Sequence, residues 1–409
     1  MRNITGPPVV DEDLYGREYE LTRLWEKLEQ GEHVLMLAPR RVGKTSLMLE
    51  LRRAPRRKWD VVYVDVEGAA GAADCVAAIV AAPAADPRYR NRFEAIPFSN
   101  AVKDVLARLQ SVSVDVLRVE LKDAIGREWE HAADQLLARL TSLPDTGGNL
   151  LIIIDELPLL VSRLLRAGER RHEAEMLLSR LRHWRQAPAL RDRIRTLIGG
   201  SIGLEGILRR VGLSGLINDL APFHVTSWNR TVAVEFLRGL GSHCDFHLSE
   251  TFIARMMDLL QDPVPYHVQL FFSALRDACR GEASRVSREI IERCFEERLA
   301  GAGGTAHLDH YAERLEIAFD EQEHDLAHDI LSRACRRKGG VRLTALGDMR
   351  GQSEPAVQSV LRDLEVDGYL RRAGSRVEFR SNLLRVWWRK HHARSITPWF
   401  AGGSTTQPN

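Results

Sequence analysis

The segment HVLMLAPRRVGKTSLMLEL, residues 33–51, contains a strand pattern, a tight loop and a helix pattern in direct succession. His33–Leu37 is nearly all apolar, as expected of a strand that is buried on both faces of a parallel sheet. Residues 38–45 fit the phosphate-loop pattern GxxxxGK[ST] at every fixed position except the first, where Ala38 replaces glycine. The strand before the loop and the periodic helix after it are the context that this pattern requires. The segment therefore predicts an α/β fold of the P-loop NTPase type.

The chemistry of phosphate binding explains the spacing of the loop residues. Backbone N–H groups of the loop and of the following helix can surround a β-phosphate, whose charge the helix dipole favours. Gly43 allows the backbone to approach closely, Lys44 can reach the β- and γ-phosphates, and the Thr45 hydroxyl can bind Mg²⁺. A chance GKT triplet in a basic loop is the alternative, and the flanking strand and helix argue against it. The predicted nucleotide contacts in this loop are Pro39, Arg40, Arg41, Val42, Gly43, Lys44, Thr45 and Ser46.

A second apolar strand, Leu150–Ile154, ends in the carboxylates Asp155 and Glu156. The carboxyl ends of parallel strands meet at the edge of the sheet where ligands of α/β proteins bind, so Asp155 should lie beside the loop. Asp155 can hold Mg²⁺ through its water shell, and Glu156 can polarise the water that attacks the γ-phosphate. The alternative is that both residues only cap the helix pattern of residues 157–165. With the loop upstream, the sequence predicts an ATP site with Mg²⁺, in which Lys44 and Glu156 are catalytic.

Strand and helix patterns divide the rest of the chain. Val112, Val114 and Val116 alternate and predict an edge strand or hairpin, whereas residues 230–299 show helical patterns throughout. The glycine-rich residues 300–306 predict a linker. Core strands are predicted at His33–Leu37, Val61–Val66, Leu150–Ile154, Thr196–Ile198 and His224–Thr226. The predicted domains are a P-loop core over residues 1–229, an all-α lid over 230–300, a winged helix over 307–395 and a disordered tail over 396–409.

The C-terminal pattern is helix, helix, helix and hairpin, which is the order of a winged helix. The hairpin is predicted over residues 369–379, with its turn at 373–375. From Arg371 to Arg394 the chain carries eight basic residues and one acidic residue, Glu378. Such a basic strip can hold a DNA backbone. Alternatively, Trp387 and Trp388 anchor a helix in the core and the arginines are solvated or pair with another protein.

The composition is that of an ordinary water-soluble protein, with 44% hydrophobic and 28% charged residues and a net charge of +2. This balance does not by itself predict a nucleic-acid partner. The five cysteines are scattered without a CxxC pair, which is typical of reduced thiols rather than of disulfides or a zinc site. We find neither a secretory signal pattern nor an apolar run long enough to cross a membrane. A cytoplasmic location without membrane contact is therefore expected.

Several shorter motifs resemble the archaeal-type P-loop ATPase family of the AAA+/STAND group. YGREYEL at residues 15–21 is similar to the box that opens these proteins, and APRRVGKTSL at 38–47 is similar to their phosphate loop. LIGGS at 197–201 resembles their sensor 1 strand, and PVPYHVQL at 263–270 resembles their lid motif. The resemblance covers residues 10–393. It implies an AAA+/STAND-like ATPase core, a helical lid and a winged helix.

The resemblance also implies roles for residues outside the phosphate loop. Tyr15, Gly16 and Arg17 would line the adenine end of the pocket. Ser201 would lie near the γ-phosphate with a catalytic role. Pro265, together with Tyr266, would pack the lid against the nucleotide.

The chain departs from the family pattern at two places. The glycine pair of the lid is Asp262-Pro263 here, and the family's LYGR-like segment is replaced by LSGLIN at residues 213–218. If an arginine finger exists, Arg209 or Arg210 are the candidates, although two arginines on a helix are also typical of a solvated face. Without a finger in trans, turnover should be slow.

The leading hypothesis is thus a slow ATPase that acts as a nucleotide-gated switch, with a winged helix that engages DNA, another protein or a second copy of the chain. The first alternative is a non-catalytic ATP-binding scaffold that acts through protein contacts. The second is a P-loop transferase such as a small-molecule kinase, which would leave the helical lid and the winged helix unexplained.

Overall fold

A computed structural model describes residues 2–85, 114–142, 149–190, 192–200, 202–347, 349 and 352–393. Its first half is built on five strands: β1 (His33–Leu37), β2 (Trp59–Asp65), β3 (Asn149–Asp155), β4 (Ile194–Gly199) and β5 (Leu220–His224). All pair in parallel, in the order β2-β3-β4-β1-β5. Because the strands run the same way, the loops that follow β1, β3 and β4 emerge side by side at one edge of the sheet.

Helices cover both faces of this sheet. They are α1 (Glu18–Glu29), α2 (Lys44–Arg53), α3 (Ala72–Ala85), α4 (Val114–Ile125), α5 (Trp129–Ser142), α6 (Leu157–Arg166), α7 (Arg171–Gln186) and α8 (Leu204–Arg210). The apolar faces of α1 and α2 pack on one side, with Leu28 and Leu47 fully buried. Helices α3 to α8 contribute to the core on the other side. The predicted α/β architecture with a parallel sheet is confirmed.

Two predictions about strands in this half are wrong. The fifth strand is Leu220–His224, which overlaps the predicted His224–Thr226 at one residue. Pro222 made this strand hard to predict, because proline is excluded from central strands. However, β5 lies at the edge of the sheet, where proline is tolerated. The second wrong prediction is the edge strand or hairpin at Val112, Val114 and Val116. Val114 and Val116 lie in the first turn of helix α4, and Val112 lies outside the described residues. Further along this helix, Leu121 and Ile125 are buried at helical spacing.

Helices dominate after β5. They are α9 (Arg230–His243), α10 (Glu250–Leu260), α11 (Pro265–Ala278), α12 (Arg288–Arg293), α13 (Thr305–Ala318) and α14 (Glu321–Ala334). A π-helical turn, Cys294–Leu299, follows α12. Among the described residues, no helix has the length and apolar character needed to cross a membrane.

The C-terminal module combines a small antiparallel sheet with two further helices. Its elements are β6 (Val341–Arg342), α15 (Glu354–Val366), β7 (Leu370–Ala373), β8 (Arg376–Phe379) and α16 (Asn382–His391). Strands β7 and β8 form the predicted hairpin, with Gly374 in the left-handed region at its turn. One continuous hydrophobic core joins this module to helices α9 to α14.

Trp387 and Trp388 of helix α16 belong to this core. Both are 0% exposed, so neither ring is available to stack on a base. Of the two interpretations left open by the sequence, the structure therefore favours the tryptophans as anchors of the terminal helix. The predicted tail over residues 396–409 lies outside the described residues.

Candidate nucleotide site

The loop between β1 and α2 has the backbone that its sequence predicts. Gly43 precedes the first turn of α2 with φ +97°, a conformation that glycine adopts without strain. Lys44 and Thr45 follow in the first turn of α2, where the backbone N–H groups lack partners inside the helix. The N-terminus of α2 is therefore directed at the edge of the sheet where β3 and β4 end.

Thr45 and Asp155 meet at this edge, although β4 lies between β1, which precedes the loop of Thr45, and β3, which ends at Asp155. The Thr45 hydroxyl donates a hydrogen bond of 2.9 Å to Asp155 Oδ2, and the Tyr63 hydroxyl donates one of 3.1 Å to the same oxygen. Asp155 is 2% exposed. The hydroxyls of Thr45 on α2 and Tyr63 on β2 thus converge on the buried Asp155 carboxylate, next to the loop.

Lys44 lies beside the same carboxylates. Its ammonium donates a hydrogen bond to the Gly200 carbonyl at the end of β4. Burial lowers the pKa of Lys44, and the charges of Glu156 and Asp155 oppose this effect. Burial conversely raises the pKa of Asp155, which Lys44 counteracts. The opposite charges of this site therefore offset part of the cost of burying Lys44 and Asp155.

Glu156 occupies a strained position between β3 and α6. Its φ of +59° lies in the left-handed region, which costs a residue other than glycine about 1–3 kcal/mol. Its backbone N–H donates a hydrogen bond of 3.0 Å to Asp155 Oδ1, which helps to hold this turn. The Glu156 side chain lines the cavity described next. Strain of this kind is typical of functional sites.

A cavity of about 250 Å³ adjoins the loop. It is lined by the loop residues from Pro39 to Ser46, by Glu156, by the N-terminal segment (residues 4–17) and by the start of α11. At one end, Tyr15 packs against Trp228 and Phe236, with ring centroids 6.2 and 5.5 Å apart. The cavity thus has an apolar, aromatic end and a polar end with Lys44 and Glu156.

The three residues of the YGR box occupy different positions. Tyr15 and Arg17 line the cavity. Arg17 is 3% exposed, and its guanidinium donates hydrogen bonds to the carbonyls of Val42 (2.7 Å) and Thr226 (2.9 Å), so it joins the loop to the chain after β5. Gly16 has φ +63°, and a Cβ there would lie 2.5 Å from Val232 Cγ1. Gly16 therefore forms the turn that packs this segment against α9.

The start of α11 forms another wall of the cavity and contacts the loop. Pro265 lines it at the first position of the helix, where proline is favoured. The Arg41 guanidinium lies over the Tyr266 ring, 4.5 Å from the centroid, as in a cation–π contact. The Tyr266 hydroxyl in turn forms a hydrogen bond of 2.6 Å with His307 Nδ1 on α13. The loop, α11 and α13 are thereby connected.

The remaining predicted residues divide into two groups. Ser201 lies outside the described residues, which end at Gly200 and resume at Ile202. Arg209 and Arg210 on α8 both form ion pairs with Asp363 of α15, and Arg209 does so at 2.7 Å. Arg210 also pairs with Glu323 of α14 at 2.9 Å. In this conformation both arginines are bound by the C-terminal part of the same chain.

The basic strip is also largely paired within the chain. Three of its basic residues form ion pairs with acidic residues on other parts of the chain. These pairs are Arg372–Glu365 (2.7 Å), Arg380–Asp262 (3.0 Å) and Lys390–Glu296 (2.6 Å). Further contacts are the Arg371–Glu378 pair, hydrogen bonds from Arg376 to the carbonyls of Gly339 and Gly340, and one from Arg385 to the carbonyl of Cys335. Arg394 lies outside the described residues. Three acidic residues from other elements thus offset part of the positive charge of the strip.

Sequence reasoning missed several residues that contact the site. The N-terminal segment reaches it through hydrogen bonds from the Val9 N–H to Ser46 Oγ (3.0 Å) and from the Ile4 N–H to Gln269 Oε1 (2.9 Å). Tyr63 was missed as well, although its place on β2, two residues before Asp65, puts it near the carboxyl edge of the sheet. No pattern in the sequence marks residues 4–9 as part of a site.

The turn between α15 and β7 packs directly on the phosphate loop. At Gly368, which has φ +83°, a Cβ would lie 2.5 Å from Pro39 Cβ. The neighbouring Asp367 accepts a hydrogen bond of 3.0 Å from the Gly203 N–H, in the loop after β4. The C-terminal module therefore touches both the phosphate loop and the segment that follows Gly200.

Asp367 makes the stability of this contact dependent on pH. Burial, and next the Asp363 charge, raise the pKa of Asp367 from 3.8 to about 7. Between these values the folded chain holds a proton that the unfolded chain has released, so the free energy of unfolding falls as the pH rises, by at most about 1.4 kcal/mol per pH unit. Asp367→Asn keeps the neutral form at every pH. We expect the urea midpoint of this variant to exceed that of the wild type increasingly from pH 5 to pH 7; parallel midpoints over this range would contradict the prediction.

The combination of a glycine loop after β1, a carboxylate pair after β3 and a parallel sheet defines the P-loop ATPase fold, and a solved structure agrees. No family model and no curated protein matches the sequence. The Walker-type ATPase of Pyrococcus abyssi is similar over 95% of this chain and 100% of its own, with a TM-score of 0.63 and 18% identity. At this identity the likeness shows the fold alone.

Two further structures are more distant. The ORC2 protein of Aeropyrum pernix, solved as ADPNP-ADP complexes, matches 95% of this chain and 98% of its own, with a TM-score of 0.45 and 13% identity. The ORC1 protein of the same organism, in complex with DNA, matches 93% and 94%, with a TM-score of 0.42 and 18% identity. These scores are too low to add to the likeness of fold.

Proposed function

We propose that this protein binds ATP with Mg²⁺ and hydrolyses it slowly, as a nucleotide-gated switch of the AAA+/STAND type. The observation that carries the proposal is the convergence of Lys44, Thr45, Asp155 and Glu156 at the polar end of the cavity. A chance GKT triplet would have no reason to meet a buried carboxylate from another strand. The aromatic end of the cavity, at Tyr15, suits an adenine ring.

Each side chain has a distinct proposed role. The N–H groups of the loop and the Lys44 ammonium bind the phosphates. The Thr45 hydroxyl and the Asp155 carboxylate are hard oxygen ligands of the kind that Mg²⁺ prefers, and their separation of 2.9 Å supports a shared ion. Thr45 and Asp155 would hold the Mg²⁺, which would supply positive charge that offsets the negative charge of the phosphates. Ser201 is proposed to contact the γ-phosphate.

Glu156 is proposed as the base. Its position after β3 puts it beside Lys44 and at the wall of the cavity. A carboxylate there can accept a proton from the water that attacks the γ-phosphate. Since Arg209 and Arg210 are held by Asp363, neither is available to a neighbouring subunit in this conformation, which supports slow turnover.

The C-terminal module is proposed to be a winged helix over residues 307–395, with α15 in the place of the recognition helix and the β7–β8 hairpin as the wing. A core over 1–229 and a lid over 230–300 complete the proposed domains. The ion pairs of the basic strip reduce the positive charge available to a DNA backbone. A protein partner, including a second copy of the chain, therefore fits these contacts better than DNA.

The test is steady-state ATP hydrolysis by the full chain, with Mg²⁺ or EDTA and with or without duplex DNA. We expect Mg²⁺-dependent hydrolysis that DNA leaves unchanged within about twofold. Absence of ATP binding would refute the proposal. Binding without hydrolysis would instead support a non-catalytic scaffold, and strong stimulation by DNA would identify DNA as the partner.

A further inference from the structure

A second groove, of about 640 Å³, shares no lining residue with the candidate nucleotide cavity. Helices α6 and α8 and the junction of α13 with α14 form its walls. Its apolar lining residues are Leu165, Ile207, Val211, Ile317, Ala318 and Phe319. It is also lined by the carboxylates of Glu316, Asp320, Glu321 and Glu323 and by the guanidinium groups of Arg166 and Arg210. We call this surface the acidic groove.

Both arginines of the acidic groove already have partners in the same chain. Arg166 donates a hydrogen bond of 2.6 Å to the carbonyl of Phe319. Arg210 pairs with acidic residues of α14 and α15. By contrast, Glu316 and Glu321 are exposed. The groove thus combines an apolar lining with an excess of negative charge. A lysine or arginine suits such a surface, because its methylene stem packs on apolar groups while its cation meets the carboxylates.

The other end of α14 carries the complementary charge. Basic side chains gather around the turn at residues 335–342, which follows this helix. We call them the basic end; they are Arg337, Lys338, Arg342, Arg376, Arg385 and Arg389. Arg376 donates hydrogen bonds to two carbonyls of this turn, and Arg385 donates one to a third. Two of the guanidinium groups therefore face the turn that carries the exposed Arg337 and Lys338.

Like charges lie close together in the basic end. Arg342 is directly opposite Arg376 in the pairing of β6 with β8, an arrangement that destabilises an antiparallel sheet. Burial, and next the Arg389 charge, lower the pKa of Arg385, so these two guanidinium groups are also near each other. Within the described part of the chain, the ion pairs of this region involve other basic residues and none of the six. The basic end therefore presents positive charge that the described residues do not pair.

The acidic groove and the basic end cannot meet within one molecule. Helix α14 has 14 residues, so about 20 Å of helix separates the groove residues at its start from the turn that follows it. A partner for either surface must therefore come from another molecule. A nucleic acid would account for the basic end only, whereas a second copy of the chain accounts for both surfaces.

We propose that the chain associates head to tail, with the basic end of one copy in the acidic groove of the next. The inference rests on the proposed function only for the choice of a protein partner, and it requires no bound nucleotide. A contact between two different surfaces is heterologous, so each added copy still presents a free groove or a free basic end. Copies therefore add one after another, and they form a ring if the rotation closes and an open filament if it does not.

The test measures self-association of the full chain by sedimentation velocity, over protein concentrations of about 2 to 200 µM. The two charge-reversed variants are Arg337→Glu/Lys338→Glu and Glu316→Lys/Glu321→Lys. The charge-matched control is Arg57→Glu/Lys58→Glu, at exposed residues outside both surfaces. Melting temperatures without nucleotide establish that each variant is folded. A separate titration with ATP reports on the proposed nucleotide site.

The wild type is expected to self-associate with a Kd of about 1–100 µM in about 0.05 M salt, and about tenfold more weakly in about 0.5 M salt, because salt screens exposed charges. Each charge-reversed variant should associate at least about tenfold more weakly than the wild type, and the control should differ from it by less than about twofold. An equimolar mixture of the two charge-reversed variants should associate again. In that mixture the unchanged groove of one variant meets the unchanged basic end of the other, and the two reversed surfaces also complement each other.

Two results would overturn the inference. One is charge-reversed variants that associate as the control does. The other is a wild type that stays monomeric at every concentration; binding of a labelled duplex DNA by the wild type but not by the basic-end variant would then assign the basic end to a nucleic acid. Neither result depends on the nucleotide site, so only absence of ATP binding by the wild type would refute the proposed ATP site.

Discussion

Glu156→Gln is expected to lower the rate of ATP hydrolysis by about 10²- to 10⁴-fold while ATP binding is retained. The amide is nearly isosteric with the carboxylate, so the turn between β3 and α6 should persist, and so should the hydrogen bond that the backbone N–H of residue 156 donates to Asp155. The amide cannot accept the proton of the attacking water. The proposed contacts to the phosphates involve Lys44 and the loop, which the substitution does not change.

Glu67→Gln provides the matched control. Glu67 follows β2 at the same edge of the sheet, but its side chain is exposed and does not line the cavity. Hydrolysis and ATP affinity should both be measured for the wild type and the two variants. An unchanged rate in Glu156→Gln would exclude Glu156 as the base. A large loss in both variants would indicate a general electrostatic effect at this edge rather than proton transfer.

Strands could be predicted where burial on both faces made them continuously apolar. β1 and β3 are of this kind, and their loops carry the contiguous motifs around Lys44 and Asp155. β5 could not be placed correctly, because an edge strand that contains Pro222 lacks that pattern. The strand predicted at Val114 and Val116 was wrong for another reason. A few alternating valines do not outweigh the helical spacing of Leu121 and Ile125 further along.

The site was predictable only where its residues are contiguous in sequence. Trp228 and Gln269 also line the cavity, but they lie far along the chain from Lys44, and no local pattern marks either as part of a site. The basic strip shows the same limit, because its partners Glu365, Asp262 and Glu296 lie on other elements. Charge counted along the chain therefore overstated the charge that the folded surface presents.

Gly368→Ala is expected to destabilise the protein by about 2–6 kcal/mol. A residue other than glycine in the left-handed region costs about 1–3 kcal/mol, and an overpacked contact about the same again. At Gly368 both apply, since φ is +83° and the new Cβ would lie 2.5 Å from Pro39 Cβ. The clash can be relieved only by a shift of the phosphate loop or by separation of the α15–β7 turn from it. Urea unfolding measures the loss of stability, and hydrogen exchange of the loop amides reports which contact gives way.

Gly374→Ala separates the two contributions. Gly374 has φ +60°, but a Cβ there meets no described atom within 4 Å, so the substitution brings the backbone strain without the clash. Its expected cost is therefore about 1–3 kcal/mol. A larger loss in Gly368→Ala, together with faster exchange of amides near Pro39, would establish that the C-terminal module rests on the phosphate loop in solution. Equal losses would mean that the contact between Gly368 and Pro39 contributes nothing to stability. The nucleotide site would then have no direct contact through which to act on the proposed winged helix.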